Sequence, residues 1–216
     1  MDAKEIIARR VAQELRDRTL VNLGIGLPTL VARYVPEGML VAFQSENGII
    51  GFAARPPEGM EDPNLTDAGG GFISALPGAF AFDSVTSFAL IRGGHLDMTV
   101  LGGLQVDATG RLANWMVPGR MVAGMGGAMD LVAGARRVVI AMQHAAKGEA
   151  KIVPELTLPP TAARSVSLVV TDLAVIEPTP AGLVLRERAP GVTVEQILAA
   201  TTAPLVLPDT IPEMRL

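Results

Sequence analysis

Apolar residues fall in short runs along this chain, and the spacing inside the runs switches between helical and strand-like periods. Ile7, Val11 and Leu15 lie four apart, which predicts an amphipathic helix over 3–16, and Asp2 followed by Glu5 has the spacing of a capping box at its start. Leu20 to Leu23 reads as a short strand, Gly24-Ile25-Gly26-Leu27-Pro28 as a tight turn, and Thr29 to Tyr34 as a helix that Pro28 can open. Met39 to Phe43 is a continuous apolar run of strand length, expected to be buried on both faces as in a parallel sheet, with Gln44 and Ser45 ending it. Asn47-Gly48 then forms a turn pair that favours positive φ, and Ile49 and Ile50 resume the apolar character.

Beyond that point Ala53 to Asp67 is rich in Pro, Glu and Asp and reads as a surface loop, and Asp67-Ala68-Gly69-Gly70-Gly71 leads into Phe72 to Leu76. Asp83 or Ser84 caps a helix through Ile91, closed by Gly93-Gly94. Asp97 to Val106 reads as one apolar strand, followed by a turn at Asp107 to Gly110 and a short strand to Trp115 in a hairpin. The run Gly124 to Asp130 opens a helix that continues to about Gly134. Strands are expected at Arg136–Met142, Val166–Thr171, Ala174–Glu177 and Leu183–Arg188, and Thr193 with Gln196 caps a last helix to about Ala200. The tail from Thr201, with three prolines, reads as irregular and suited to packing on a partner. Alternating strands and helices without a repeat or linker predict one α/β domain over 1–216, an open, mostly parallel sheet flanked by helices.

Composition narrows the function classes. Hydrophobic residues make up 49% and charged ones 19% of the 216, and mean hydropathy is +0.38, apolar for a water-facing domain. No charge-free run is long enough to cross a bilayer and no signal-peptide pattern opens the chain, so the surplus apolar surface is expected to face another subunit and the location to be cytoplasmic. A net charge of −4 without a Lys/Arg stripe argues against nucleic acid. With no cysteine and only His95 and His144, thiolate chemistry, disulfides and a histidine-based zinc site are all unexpected.

The candidate chemistry centres on Glu46, an acidic side chain at the carboxyl end of a buried strand, where open α/β sheets place ligands. A solvated turn carboxylate fits the same position. Gly24 to Gly26 could offer amides to an anion or serve only as a compact connection. The 124–130 run has G-x-G-G spacing without the third glycine of a dinucleotide fingerprint, and reads as a helix start with accessible amides suited to an oxyanion or carboxylate. His95 could be a general base, but no Ser, Cys or second His stands near it in an activating pattern, which favours a helix-capping or polar-niche role.

SENG at 45–48 followed by a small apolar pair resembles the signature of the family I coenzyme A transferases, in particular the B (beta) subunit of 3-oxoacid CoA-transferases. The blocks VNLGIGLPTLVA (21–32), SFALIRGGHLDMTVLGGLQV (87–106), LANWMVPGRMVAGMGGAMDLV (112–132) and KIVPELTLP (151–159) are similar to the same family in the same order and span most of the chain. The resemblance implies an enzyme that moves CoA between carboxylic acids through a covalent glutamyl-CoA thioester, with Glu46 as nucleophile and no metal or redox cofactor, CoA being a substrate. For such chemistry the amides of Gly24, Ile25 and Gly26 are candidate oxyanion donors, and the resemblance aligns Gly127 with the family's oxyanion region; Asn22 and Asn114 could line the pocket, and Asn47, a possible pocket residue, fits a turn-shaping role better. It also implies an A (alpha) subunit of similar fold, in a heterodimer or heterotetramer, that completes the site and contributes much of the CoA recognition. Acetoacetate with succinyl-CoA, 3-oxoadipate and short-chain acids all remain open as substrates.

Two departures from the family pattern stand out. FAARP at 52–56 replaces a glycine-containing segment, which bears on acyl-chain preference, and Gly103 stands where alanine is common. Two other readings compete: an acyl-CoA hydrolase using Glu46 as a base on water, and a non-catalytic ligand-sensing domain of the same fold. A sensor would want a basic anion pocket or an attached DNA-binding segment, and the sequence displays neither.

Overall fold

The computed structural model describes residues 1–119 and 126–216. In chain order the elements are α1 (Ala3–Ala12), β1 (Thr19–Leu23), a 3₁₀ helix (Leu27–Tyr34), β2 (Val41–Ser45), β3 (Ile49–Ala53), β4 (Ser74–Ala81), α2 (Ser84–Arg92) and β5 (Met98–Leu101). There follow β6 (Gln105–Asp107), β7 (Leu112–Ala113), α3 (Ala128–Gly134), β8 (Arg137–Ala141), β9 (Ala145–Ala146), β10 (Glu149–Ala150) and β11 (Ile152–Val153). The chain closes with β12 (Leu168–Val170), β13 (Ala174–Thr179), β14 (Gly182–Arg188), α4 (Val194–Ala199) and β15 (Leu205–Val206).

Ten strands form one sheet in the order β15-β14-β13-β12-β8-β5-β1-β2-β3-β4. The middle five, β12 to β2, are all parallel, and antiparallel strands flank them on both sides. The reason lies in β8, whose successive side chains enter different cores: Val139 and Ala141 pack with Ile7 and Val11 of α1, Val138 and Ile140 with Ile91 of α2 and Leu131 of α3. A strand buried on both faces requires an unbroken apolar run, and Val138–Ala141 supplies one.

Helix starts follow their sequence signals. Asp2 accepts the Glu5 amide at 2.8 Å, Asp83 the Thr86 amide at 2.7 Å, and Thr193 and Gln196 form a reciprocal capping box.

Four expectations shift. The strand expected to end before Gln44 runs through Ser45, because both polar side chains are buried and partnered. The single strand expected over 97–106 is cut in two at Gly102-Gly103, with β6 leaving the main sheet to pair with β7 and β11. The first helix ends at Ala12, and the tail expected to be irregular contains β15 and a bridge from Glu213 to Arg188. His95 caps the preceding helix as expected, its amide donating to the Leu90 carbonyl at 3.1 Å, while its side chain is exposed. No helix is long and apolar enough to cross a membrane among the described residues.

Candidate active site

The sheet order places the site. From β1 the chain steps to β2 on one side, adds β3 and β4 beyond it, and returns to β5 on the other side of β1. Loops leaving β1 and β5 therefore diverge, opening a crevice at the carboxyl ends of the parallel strands. Three segments emerge there side by side: Gly24-Ile25 after β1, Glu46 after β2 and Gly102-Gly103 after β5. The N-terminus of α3 lies across them, and together they enclose a cavity of about 380 Å³.

Glu46 is half-buried on this cavity, and its Oε1 accepts the Gly127 amide at 2.8 Å. That approach depends on glycine: a Cβ at Gly127 would stand 2.7 Å from Glu46 Oε2. The turn carrying Glu46 is equally constrained. Gly48 has φ of 116° and donates to the Ser45 carbonyl at 3.0 Å, and a Cβ there would fall 2.0 Å from the Phe82 carbonyl oxygen.

Below the turn runs a chain of buried hydrogen bonds. Thr99 Oγ1 donates to Asn22 Oδ1 (2.9 Å), Asn22 Nδ2 to Gln44 Oε1 (2.7 Å), and Gln44 Nε2 to the Ser87 hydroxyl (2.9 Å). All four residues are essentially inaccessible, so β5, β1, β2 and α2 are locked together two residues before Glu46. On the outer side Ser45 Oγ accepts the Ala68 amide and Asn47 Nδ2 donates to the Thr66 carbonyl. The neighbouring glycine run closes on Asp67, whose Oδ1 accepts the Gly69 and Gly71 amides.

The residues singled out in the sequence thus divide. Glu46, Gly24, Ile25, Gly127 and Asn114 line the cavity. Asn22, expected in the pocket, is consumed by the buried network instead; Asn47 is exposed and ties down the loop; Gly26 sits outside the lining as the positive-φ residue that starts the 3₁₀ helix. Gly24, expected to offer its amide, donates it to the Val100 carbonyl at 2.8 Å and cannot serve an oxyanion. The Ile25 amide has no acceptor among the described residues and remains the free donor of that turn that also lines the cavity. Gly124 and Met125 of the expected helix start lie outside the described residues.

Sequence reasoning missed the opposite wall, Gly102, Gly103 and Leu104 with Trp115. Its signal was the glycine pair inside an apolar run, which marks a broken strand. Gly103 is itself forced by packing, because a Cβ would meet Met142 Sδ at 2.7 Å and Ile140 Cγ2 at 3.0 Å. Asn114 braces this wall, donating to the Gly102 carbonyl at 3.2 Å and accepting from Thr161 Oγ1 at 2.8 Å.

No group of His, Cys, Asp and Glu suited to a metal occurs among the described residues. What the cavity offers is a carboxylate held by one amide, with room beside it and an apolar wall. That arrangement suits either attack on a carbonyl carbon or proton abstraction.

The sequence model described as Coenzyme A transferase matches residues 4–200. The beta subunit of the acetate CoA-transferase of Haemophilus influenzae is 54% identical over 217 residues, covering 100% of this chain and 97% of that protein. A probable B subunit of a succinyl-CoA:3-ketoacid coenzyme A transferase from Bacillus subtilis is 46% identical, covering 97% and 98%. Among solved structures, the apoenzyme of an acyl-CoA transferase (YdiF) from Escherichia coli O157:H7 superposes with a TM-score of 0.77 at 23% identity, over 99% of this chain. This chain spans 43% of the length of that one, and at such identity the likeness speaks for the fold.

Proposed function

The chain belongs to the coenzyme A transferase family, and from that premise we propose that it is the beta subunit of an enzyme moving CoA between short-chain carboxylic acids, 3-oxoacids among them, with Glu46 as covalent nucleophile. The observation that carries this reading is the Glu46 carboxylate on the cavity at the switch point, with its Oε1 on the Gly127 amide at 2.8 Å.

The chemistry follows from that bond. The free oxygen, Oε2, attacks the acyl-CoA carbonyl carbon; the tetrahedral oxyanion collapses and expels CoA thiolate, leaving a mixed anhydride. The thiolate attacks Cδ of Glu46 and expels the first carboxylate, leaving a glutamyl-CoA thioester. A second carboxylate attacks the same Cδ, and the steps run in reverse. In every attack on Cδ the negative charge develops on the oxygen that faces Gly127, so one amide holds the resting carboxylate and then receives the oxyanion. Charge at the acyl carbon needs a separate donor, and the Ile25 amide is the candidate in this chain.

Acetate and 3-ketoacid transferases both occur among the relatives, which supports a short acyl group. Their designation as beta or B subunits supports an alpha subunit that completes the enzyme, as a heterodimer or heterotetramer. The test is to mix the chain with its alpha subunit and an acyl-CoA and look by mass spectrometry for a CoA adduct on the Glu46 peptide. Transfer without the adduct, or full activity in Glu46→Gln, overturns the proposal, and release of free thiol in place of a new thioester marks a hydrolase.

A further inference from the structure

Behind the Gly102–Leu104 wall stands a lysine that this chemistry does not use. Lys151 precedes β11, and its backbone is pinned on both sides: its amide donates to the His144 carbonyl at 3.1 Å and its carbonyl accepts the Val106 amide at 2.9 Å. The half-buried side chain points its Nζ at the Gly103 carbonyl, to which it donates at 2.5 Å. Gly103 lines the same cavity as Glu46, so the ammonium lies one peptide group behind the cavity surface. Burial strips water from it and lowers its pKa, against the raising effect of the nearby Asp172 carboxylate. That carboxylate also accepts the His144 amide at 2.8 Å, and burial pushes the pKa of the His144 ring down to about 4, so the ring is neutral near pH 7.

We propose that Lys151 is a positioning residue of the Glu46 site: by clamping the Gly103 carbonyl it fixes the cavity wall and sets a positive charge behind a space that must gather a second carboxylate beside Glu46. The inference rests on the transfer reading above. Two carboxylates brought together away from bulk water repel each other, and a fixed cation behind the wall offsets that repulsion without touching substrate. Because it acts on the bound anion before and during reaction alike, its removal raises KM for the carboxylate more than it lowers kcat.

The test uses the assembled transferase and steady-state kinetics of Lys151→Met, Lys151→Arg and Asp172→Asn. Lys151→Met is expected to raise KM for the carboxylate acceptor about tenfold with kcat within about threefold, and Lys151→Arg to recover most of that loss. Asp172→Asn keeps an oxygen for the His144 amide but removes the opposing charge, so its carboxylate KM is expected to fall, a direction that a merely structural role would not produce. Wild-type KM in Lys151→Met, or a loss that Lys151→Arg does not recover, overturns the inference. Should Lys151→Met fail to fold, an unchanged or raised KM in Asp172→Asn overturns it alone. The Glu46 adduct is measured in the wild type alongside: its absence removes the transfer reading, whereas its presence with normal Lys151→Met kinetics removes only this inference.

Discussion

Glu46 and His144 both follow parallel strands of one sheet, yet the protein treats them in opposite ways. His144, three residues after β8, is completely buried; its Nδ1 pairs with the Thr171 hydroxyl at 2.9 Å and its Nε2 with the Thr201 hydroxyl at 2.8 Å. Every polar atom of that ring is satisfied by protein, and burial pushes its pKa down to about 4. Glu46 holds one amide and faces open space. The difference is topological. From β5 through β8 to β12 the chain adds strands in one direction across the sheet; at β1 it departs to both sides and leaves a gap. A titratable group with all its bonds inside the protein is an element of structure, and one with capacity left over a cavity can do chemistry.

The strongest attack on that contrast is Glu46→Gln. If the carboxylate is the nucleophile, transfer falls at least ~1000-fold while thermal unfolding stays close to wild type, since the amide side chain can still accept the Gly127 bond. Gly127→Ala comes next. The added methyl would stand 2.7 Å from Glu46 Oε2 and displace the carboxylate from its donor, and a loss of ~100-fold in kcat is expected from spoiling one oxyanion contact.

For His144 the contrast predicts an effect on stability rather than on rate. Its folded pKa is about 4, below the ordinary 6.5, so the unfolded chain binds the proton more readily. The stability contributed by the neutral ring is fully present above pH 6.5 and is lost as pH falls toward 4, by up to roughly 3 kcal/mol. Denaturant unfolding at a series of pH values measures the slope. His144→Gln, which cannot titrate, should flatten it between pH 6.5 and 4.5, and an unchanged slope would place the proton elsewhere.

The contrast also marks how far the sequence could be read. The open, mostly parallel sheet was legible because buried runs such as Val138–Ala141 and cap signals at Asp83 and Thr193 act locally. Glu46 stood out because it ends an apolar run beside an Asn-Gly turn, although Leu40 and Ala42 of that run, expected to be buried, are exposed and only Phe43 is buried. The roles of polar residues were not legible. Asn22 looked like a pocket residue, but whether a buried amide faces a cavity or a neighbour's side chain depends on what Gln44 and Thr99 present across the sheet, which no local pattern encodes. Gly24 failed for the same cause, its amide captured by Val100 on β5. Gly102-Gly103 was visible as a pair and misjudged, because the apolar residues around it satisfied a strand period on both sides of the break.

Gly103→Ala gives the smallest expected effect and the finest test of the cavity's closed wall. The new Cβ would meet Met142 Sδ at 2.7 Å and Ile140 Cγ2 at 3.0 Å, and both are side-chain atoms, the first on a flexible side chain. Overpacking of this kind costs typically ~1–3 kcal/mol, and the ability of Met142 to turn aside puts the cost at about 1 kcal/mol, read as a lowered denaturation midpoint at unchanged slope. Met142→Ala in the same chain frees the space the methyl needs, so the double variant should be more stable than the sum of the two single losses predicts. Strict additivity would mean that the wall yields by moving Gly102–Leu104 into the cavity instead. In that event Gly103→Ala would raise KM for both substrates while Glu46 and its Gly127 contact stayed intact, making the wall the softer side of the site.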